Sequence, residues 1–271
     1  MRCRVSTMTV LAAIAWAAPA LQAQHPDSDW LDRCREVAQR DDRPRYCEER
    51  TFGARAGGGT ITVDGGENGG ARVAGWDHDS IDVVARIQTN AHSEDEARDL
   101  ARKISVTVSN GKISADGPPE HHGASWSVSF DVLVPRASDL DIKTVNGPVG
   151  VHAVHGKMEL NAENGPLAIE DAGGDIHGRT ENGPLEVSLA GTSWNGRGLD
   201  AETTNGPVMI SIPESYSAHL EAGTSNGPVQ IGFPITVEGR LSRHIVTDLG
   251  SGGATVRAVT TNGPLVVKRT D

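Results

Sequence analysis

The amino-acid sequence predicts an all-β protein: a β-solenoid of stacked rungs of about 18 residues, with a short N-terminal helical segment and one inserted helix. Three observations predict it. The tripeptide Asn-Gly-Pro recurs with its Asn at 146, 164, 182, 205, 226 and 262. Around each Asn, apolar and polar residues alternate with period two, as in a strand with one buried face. The apolar positions are the same in every copy, as a stack sharing one continuous core requires.

The chain begins like a secretory precursor. Arg2 and Arg4 form a positive n-region, and residues 8–18 form an apolar stretch too short to span a bilayer. Small residues follow, with cleavage fitting after Ala20 or Ala23; Ala23 is preferred, giving a signal peptide over residues 1–23. No cysteine sits at either cut, which argues against a lipid anchor there, and no later segment is apolar enough to be transmembrane. The reading is an exported protein: periplasmic, on the outer surface, or secreted. Losing Arg2 and Arg4 takes the formal net charge from −11 to −13. That balance argues against nucleic acid or anionic lipid as partner, because phosphate binding needs a basic stripe.

Residues 24–52 read as a short helical, disulfide-bearing segment. Asp27, Ser28 or Asp29 can cap a helix in which Trp30, Leu31, Cys34, Val37 and Ala38 fall at helical spacing, ended by Asp41, Asp42 and Pro44. Cys34 and Cys47 are an even pair in an oxidising compartment and read as a disulfide. Closing a loop of about a dozen residues stabilises by roughly 3 kcal/mol.

Residues 53–135 read as an N-terminal β region. Ile61, Val63 and Val73 precede an alternating run through Ile81, Val83, Ala85 and Ile87. A helix near 93–104 interrupts it. Ser93 caps, Glu96 completes a Ser-x-x-Glu capping box, and Ala97, Leu100, Ala101 and Ile104 form the apolar stripe. Strands resume at Val106 and Val108, and again from Ser125 to Pro135.

Residues 136–271 read as the solenoid itself. The gaps between successive Asn are 18, 18, 23, 21 and 36 residues. The two longer middle gaps imply insertions, and the last, twice 18, implies a degenerate rung between 226 and 262. Three residues after each Asn stand Val149, Leu167, Leu185, Val208, Val229 and Leu265; five after, Val151, Ile169, Val187, Ile210, Ile231 and Val267. Six before stand Leu140, Met158, Ile176, Leu199, Leu220 and Val256. Two before, the residue is Thr in five copies of six, with Ala162 the exception.

The tripeptide has a physical reading. Asn146, Asn164, Asn182, Asn205, Asn226 and Asn262 share the inward parity of their strands, so stacking aligns their amides as a ladder, each bonded to the next rung. Gly supplies a positive φ at the corner, and Pro, lacking an N–H, stands where a strand begins.

Chemistry is sparse. The sequence has no phosphate-binding Gly-Lys-Ser/Thr loop and no Gly-x-Ser-x-Gly elbow. His152 and His155 differ in strand parity, and His121-His122 lie in a Pro-rich loop, so they read as solvated rather than metal ligands. No catalytic, metal or cofactor residue is assigned. Trp194 and Tyr216, at matched offsets in the two insertions, are candidates for a stacking platform that contacts an envelope glycan; the alternative is that they cover a core edge.

Val73-Ala74-Gly75-Trp76-Asp77, Val134-Pro135 before the first regular rung, the Thr-x-Asn-Gly repeats, and Gly250-Ser251-Gly252-Gly253 before the last rung carry a likeness. Over roughly residues 55–271 the chain resembles the bacterial "putative adhesin" β-strand-repeat family, a domain of unknown function. It departs in having Asn-Gly-Pro where that family usually has Asn-Gly-Ser or Asn-Gly-Asp. The resemblance implies a β-solenoid and an envelope location, raises surface binding as a role, and brings no catalytic residues.

The expected function is therefore an exported, non-catalytic envelope protein with an adhesin-like surface-binding role and an envelope or surface glycan or protein as partner. Two alternatives stand beside it. One is a structural envelope component that self-associates through its solenoid ends, since uncapped rungs present unpaired strand edges. The other is a carbohydrate-active β-helix enzyme, for which no residues can be named. A site, if present, is expected where the repeat is broken: at 192–198, at 213–218, or in the irregular stretch before Asn262.

Overall fold

A computed structural model describes residues 29–38, 44–119, 123–232 and 243–270. The expected signal peptide and His121-His122 lie outside them. The N-terminal part comprises α1 (Trp30–Ala38), β1 (Arg45–Arg55), β2 (Ile61–Asp64), β3 (Ala71–Trp76), β4 (Ser80–Asn90), α2 (Glu94–Arg102), β5 (Ser105–Ser109), β6 (Lys112–Asp116) and β7 (Ser125–Pro135). The repeats follow as strand pairs. These are β8 (Leu140–Thr144) with β9 (Val149–His152), β10 (His155–Ala162) with β11 (Leu167–Glu170), and β12 (Gly173–Asn182) with β13 (Leu185–Ser188). Next come β14 (Gly198–Asn205) with β15 (Val208–Ile212), β16 (Ala218–Asn226) with β17 (Val229–Ile231), a lone β18 (His244–Leu249), and β19 (Thr255–Asn262) with β20 (Leu265–Arg269).

These strands form two ten-stranded, largely parallel sheets facing each other across one core. The first runs β1-β4-β7-β3-β9-β11-β13-β15-β20-β17, and the second β18-β16-β19-β14-β12-β10-β8-β2-β6-β5. The chain is thus an all-β solenoid. Each rung gives one strand to each sheet and turns the corner between them at Asn-Gly-Pro. The stack begins earlier than residue 136: β2 pairs in parallel with β8 and β3 with β9, so Asn68-Gly69-Gly70 is the corner of a preceding rung.

Spatial order departs from sequence order at the C-terminal end. β19 lies between β14 and β16, and β20 between β15 and β17. The degenerate rung expected between 226 and 262 is not formed by the described residues there. Instead β18 runs antiparallel to β16 as an edge strand. The 36-residue gap therefore reflects a chain that passes the last slot, returns along the edge, and fills the slot left inside.

The aliphatic positions form the core. Leu140, Met158, Ile176, Leu199, Leu220 and Val256 are each no more than 2% exposed. Val149, Leu167, Leu185, Val208 and Leu265 are as deeply buried. Each such side chain contributes about 1.5–3 kcal/mol. Val229 and Ile231, on the three-residue edge strand β17, are only half-buried.

The corner differs from the sequence reading in two respects. First, all six repeat Asn are exposed. Alternation stops after the buried Thr two residues earlier, and both following residues face water at the bend. The amides still form a ladder, outside the core. Asn146 Nδ2 donates to Asn68 Oδ1 at 3.3 Å, Asn164 to Asn146 at 3.0 Å, Asn182 to Asn164 at 2.8 Å and Asn205 to Asn182 at 2.9 Å. Asn262 then donates to Asn205 at 2.9 Å and Asn226 to Asn262 at 3.0 Å, which repeats the inserted order. Second, none of the repeat glycines has a positive φ. Glycine is required by close approach: a Cβ on Gly165 would overlap the carbonyl oxygen of Gly147, one on Gly183 that of Gly165, and one on Gly206 that of Gly183.

The buried Thr completes the corner. Thr180 Oγ1 donates to Gly165 O at 2.8 Å, Thr203 to Gly183 O at 2.8 Å, Thr260 to Gly206 O at 2.8 Å and Thr224 to Gly263 O at 2.7 Å. The proline carbonyls accept from the strand start of the adjacent rung, as in Leu167 N–H to Pro184 O at 2.9 Å. Every polar group named here thus has a partner in its neighbour, as packed backbone requires.

The two helices sit at the N-terminal end. Ser93 Oγ accepts from Glu96 N–H at 3.2 Å, while the Glu96 carboxylate accepts from His92 N–H rather than from Ser93. α2 packs on β1 and β4 and adds Ala101 to the core, with Ile104 just beyond it. Arg50 closes its C-terminal end by donating to Ala101 O at 2.9 Å and Ile104 O at 2.6 Å. α1 lies on β1 with the Trp30 ring over the guanidinium of Arg86, which is 5% exposed and pairs with Asp131 at 2.6 Å.

Candidate functional site

The residues singled out in the sequence have separate places. The Asn ladder runs along one corner of the solenoid. The Sγ atoms of Cys34 and Cys47 are 2.02 Å apart, a covalent bond that ties α1 to β1 at the far end of the molecule. Trp194 and Tyr216 do not form an exposed platform. They are 8% and 3% exposed and belong to the core cluster. The two insertions pair with each other through a bridge between Ser193 and Ser217, which turns both aromatics inward. Trp194 Nε1 donates to Gly174 O at 3.1 Å, and burial pushes the Tyr216 phenol up to about 12. A ring held this way has no face to offer a sugar, so the expected ligand contact there is corrected. Among the described residues no group of three or more His, Cys, Asp or Glu is placed to hold a metal ion.

The feature with the geometry of a binding site lies on the outer face of the second sheet, across β14, β19, β16 and β18. The outward residues of these strands, parallel except for β18, stand in rows because the register is fixed residue by residue. Glu202 faces Val259, Val259 faces Gly223, and Gly223 faces His244. Gly223 has no side chain, and the His244 ring lies against its Cα, where a Cβ would overlap it. Beside that ring runs a groove of about 320 Å³ with Val259 on its floor. Thr204, Thr261 and Ser225 line one side with hydroxyls; Val246, 58% exposed, stands on the opposite side. A second hollow of about 240 Å³ shares Arg179 and Glu202 with it and continues toward Glu159 and Asn161 on β10.

The charges at the groove are matched. Arg179 Nη1 pairs with Glu202 at 2.7 Å, and Arg257 Nη1 pairs with Asp200 and reaches Glu202 at 3.9 Å. Arg243 Nη1 donates to Ser225 O at the rim at 2.9 Å. Arg179 and Arg257 thus stand against the carboxylates of Glu202 and Asp200, while Glu221, also in the lining, lies 3.7 Å from His219. The result is a field of fixed hydrogen-bonding groups without a dominant sign. Sequence reading named the irregular stretch before Asn262 as one place for a site but none of these residues, because they are separated by up to 82 positions and meet only through the inserted rung. The available signal was the irregular stretch before Asn262, from which β18, His244 and Val246 come.

Three solved structures resemble the chain over most of its length. A crystal structure of a "putative cell adhesion protein" from Clostridium sporogenes is 11% identical, with a TM-score of 0.43, over 83% of this chain and 100% of that one. A "putative adhesin" from Bacteroides fragilis is 9% identical with a TM-score of 0.34, over 83% of this chain and 97% of that one. A "putative lipid binding protein" from Parabacteroides distasonis is 10% identical with a TM-score of 0.36, over the same shares. No curated protein matches the chain. The family model described as Toastrack DUF4097 matches residues 58–268, which is nearly the whole solenoid from its first complete rung to its last strand, and the chain belongs to that family.

Proposed function

We propose that this is an exported, non-catalytic envelope protein that binds a partner at the cell surface through the outer face of its second sheet. The single observation that carries the reading is the groove over Val259, walled by His244 and set on a stack of paired strands. Stacked parallel strands hold their outward side chains at fixed spacing, so such a face pre-organises hydrogen-bonding groups at little entropic cost on binding. Export rests on the N-terminal Arg2 and Arg4, apolar stretch and small-residue cleavage sites of the sequence.

The test is saturable association with isolated cell envelopes. The purified protein should co-sediment with envelope material, and Thr261→Trp, which fills the groove from its exposed rim, should reduce the bound fraction at least fivefold. Association that is non-saturable, or indifferent to Thr261→Trp, overturns the reading.

Half-buried Val229 and Ile231 on the edge strand β17 favour a second reading, self-association through the solenoid end. Sedimentation velocity at several concentrations separates the two: a mass that rises with concentration supports self-association, and a constant monomer mass supports binding by single copies.

A further inference from the structure

The geometry points to a linear, neutral glycan as the ligand of the groove on the second sheet. This inference rests on the surface-binding reading above and names the class of partner. It starts from what the groove can satisfy. A peptide strand docks by completing a sheet edge, with main-chain hydrogen bonds supplying affinity. Here the floor is a sheet interior: β14, β19 and β16 already exchange their backbone hydrogen bonds with each other. A polyanion requires excess positive charge, whereas Arg179 and Arg257 are paired with Glu202 and Asp200, Arg243 is bonded to the Ser225 carbonyl, and Glu221 adds a third carboxylate to the lining.

What is left is a ligand that both donates and accepts hydrogen bonds, carries no charge and has small apolar faces. A pyranose chain has these properties. Its hydroxyls suit the carboxylate–guanidinium pairs of Glu202 with Arg179 and Arg257, which present acceptors and donors side by side, and the hydroxyls of Thr204, Thr261 and Ser225. Its C–H faces suit Val259 on the floor and Val246 on the rim. The His244 ring, seated over Gly223, adds a wall beside them.

The length also fits. From β10 to β18 the two hollows cross five strand spacings, about 24 Å at about 4.8 Å each. One rung advances by close to the length of one sugar unit in an extended glycan, so successive rungs can address successive rings.

The experiment is calorimetric titration of the purified protein with linear hexasaccharides: β-1,4-glucan, β-1,4-xylan, α-1,4-glucan, chitohexaose, and an anionic hexagalacturonate. At least one neutral hexamer should bind with a one-to-one stoichiometry. Arg179→Ala and Thr261→Trp should each weaken it at least tenfold without moving the melting temperature, while Glu186→Ala on the outer face of the first sheet should leave it unchanged. Equal weakening by Glu186→Ala, no effect of either groove variant, or tighter binding of hexagalacturonate overturns the inference. If no hexamer binds while envelope association remains saturable and sensitive to Thr261→Trp, the glycan class fails and the surface-binding reading stands. If both are absent, both fail.

Discussion

The Asn-Gly-Pro corner is governed by contacts between identical residues in adjacent rungs. Its periodicity was legible because an 18-residue repeat aligns by inspection, and the buried aliphatic rows follow from period-two alternation. The orientation of Asn was not legible. Parity predicts direction only while the chain stays extended, and at the corner two consecutive residues, such as Glu181 and Asn182, both face solvent. The reason for Gly was not legible either, since close approach to the next rung's carbonyl is a tertiary fact. It yields a contrast between two glycines. Gly165→Ala drives a methyl into Gly147 O and should destabilise by about 2–3 kcal/mol, whereas Gly150→Ala meets only Arg72 Cγ at 3.6 Å and should change stability by under about 1 kcal/mol. Chemical denaturation of the two variants measures the difference. Tyr216 gives a pH test. A phenol raised from 10.0 to about 12 by burial leaves stability intact below pH 10 and loses it as pH rises from 10 through 12. Over that window Tyr216→Phe should lose less stability than the parent protein, by an amount of the order of 2 kcal/mol. Equal losses would mean that the ring is not buried.

Among the elements, both helices were visible in the sequence because their signals are local. Ser93 and Glu96 mark the start of α2, whose apolar stripe buries Ala97 and Ala101; in α1 only Cys34 of the apolar positions is buried, and Val37 is exposed. Their placement was not visible. α2 lies where the stack begins, with Arg50 from β1 bonding its last carbonyls. α1 covers the pair Arg86 and Asp131, two charges that are nearly excluded from water. The disulfide spans 13 residues of chain, so Cys34→Ser with Cys47→Ser should lower stability by about 3 kcal/mol. Release of Trp30 from Arg86 should accompany it, read as a red shift of tryptophan emission. An unchanged emission spectrum with the same loss of stability would show that α1 stays docked without the bond. The insertions illustrate the opposite case: Trp194 and Tyr216 stand out as aromatics in a chain poor in them, but pairing between Ser193 and Ser217 spends both rings on the core.

For the whole molecule, the sequence shows the six Asn-Gly-Pro rungs but neither the earlier rung of β2 and β3 nor their spatial order. All rungs carry nearly the same inward rows, so any one can neighbour any other at similar core energy, and nothing in the repeat encodes adjacency. What separates the arrangements is the chain between 226 and 262, which lets β18 pair with the edge and the last rung return inside. The groove depends on that order, because Val259 stands between Glu202 and Gly223 only when β19 stands between β14 and β16. The most direct test is therefore cysteine cross-linking across those strands. Adjacent parallel partners fall within disulfide reach, and residues two strands apart, about 10 Å, do not. Glu202→Cys with Val259→Cys should form an intramolecular disulfide under mild oxidation, found by mass spectrometry of the digested protein, whereas Glu202→Cys with Gly223→Cys should not. A cross-link between 202 and 223, with none between 202 and 259, would put the rungs in sequence order and remove the groove.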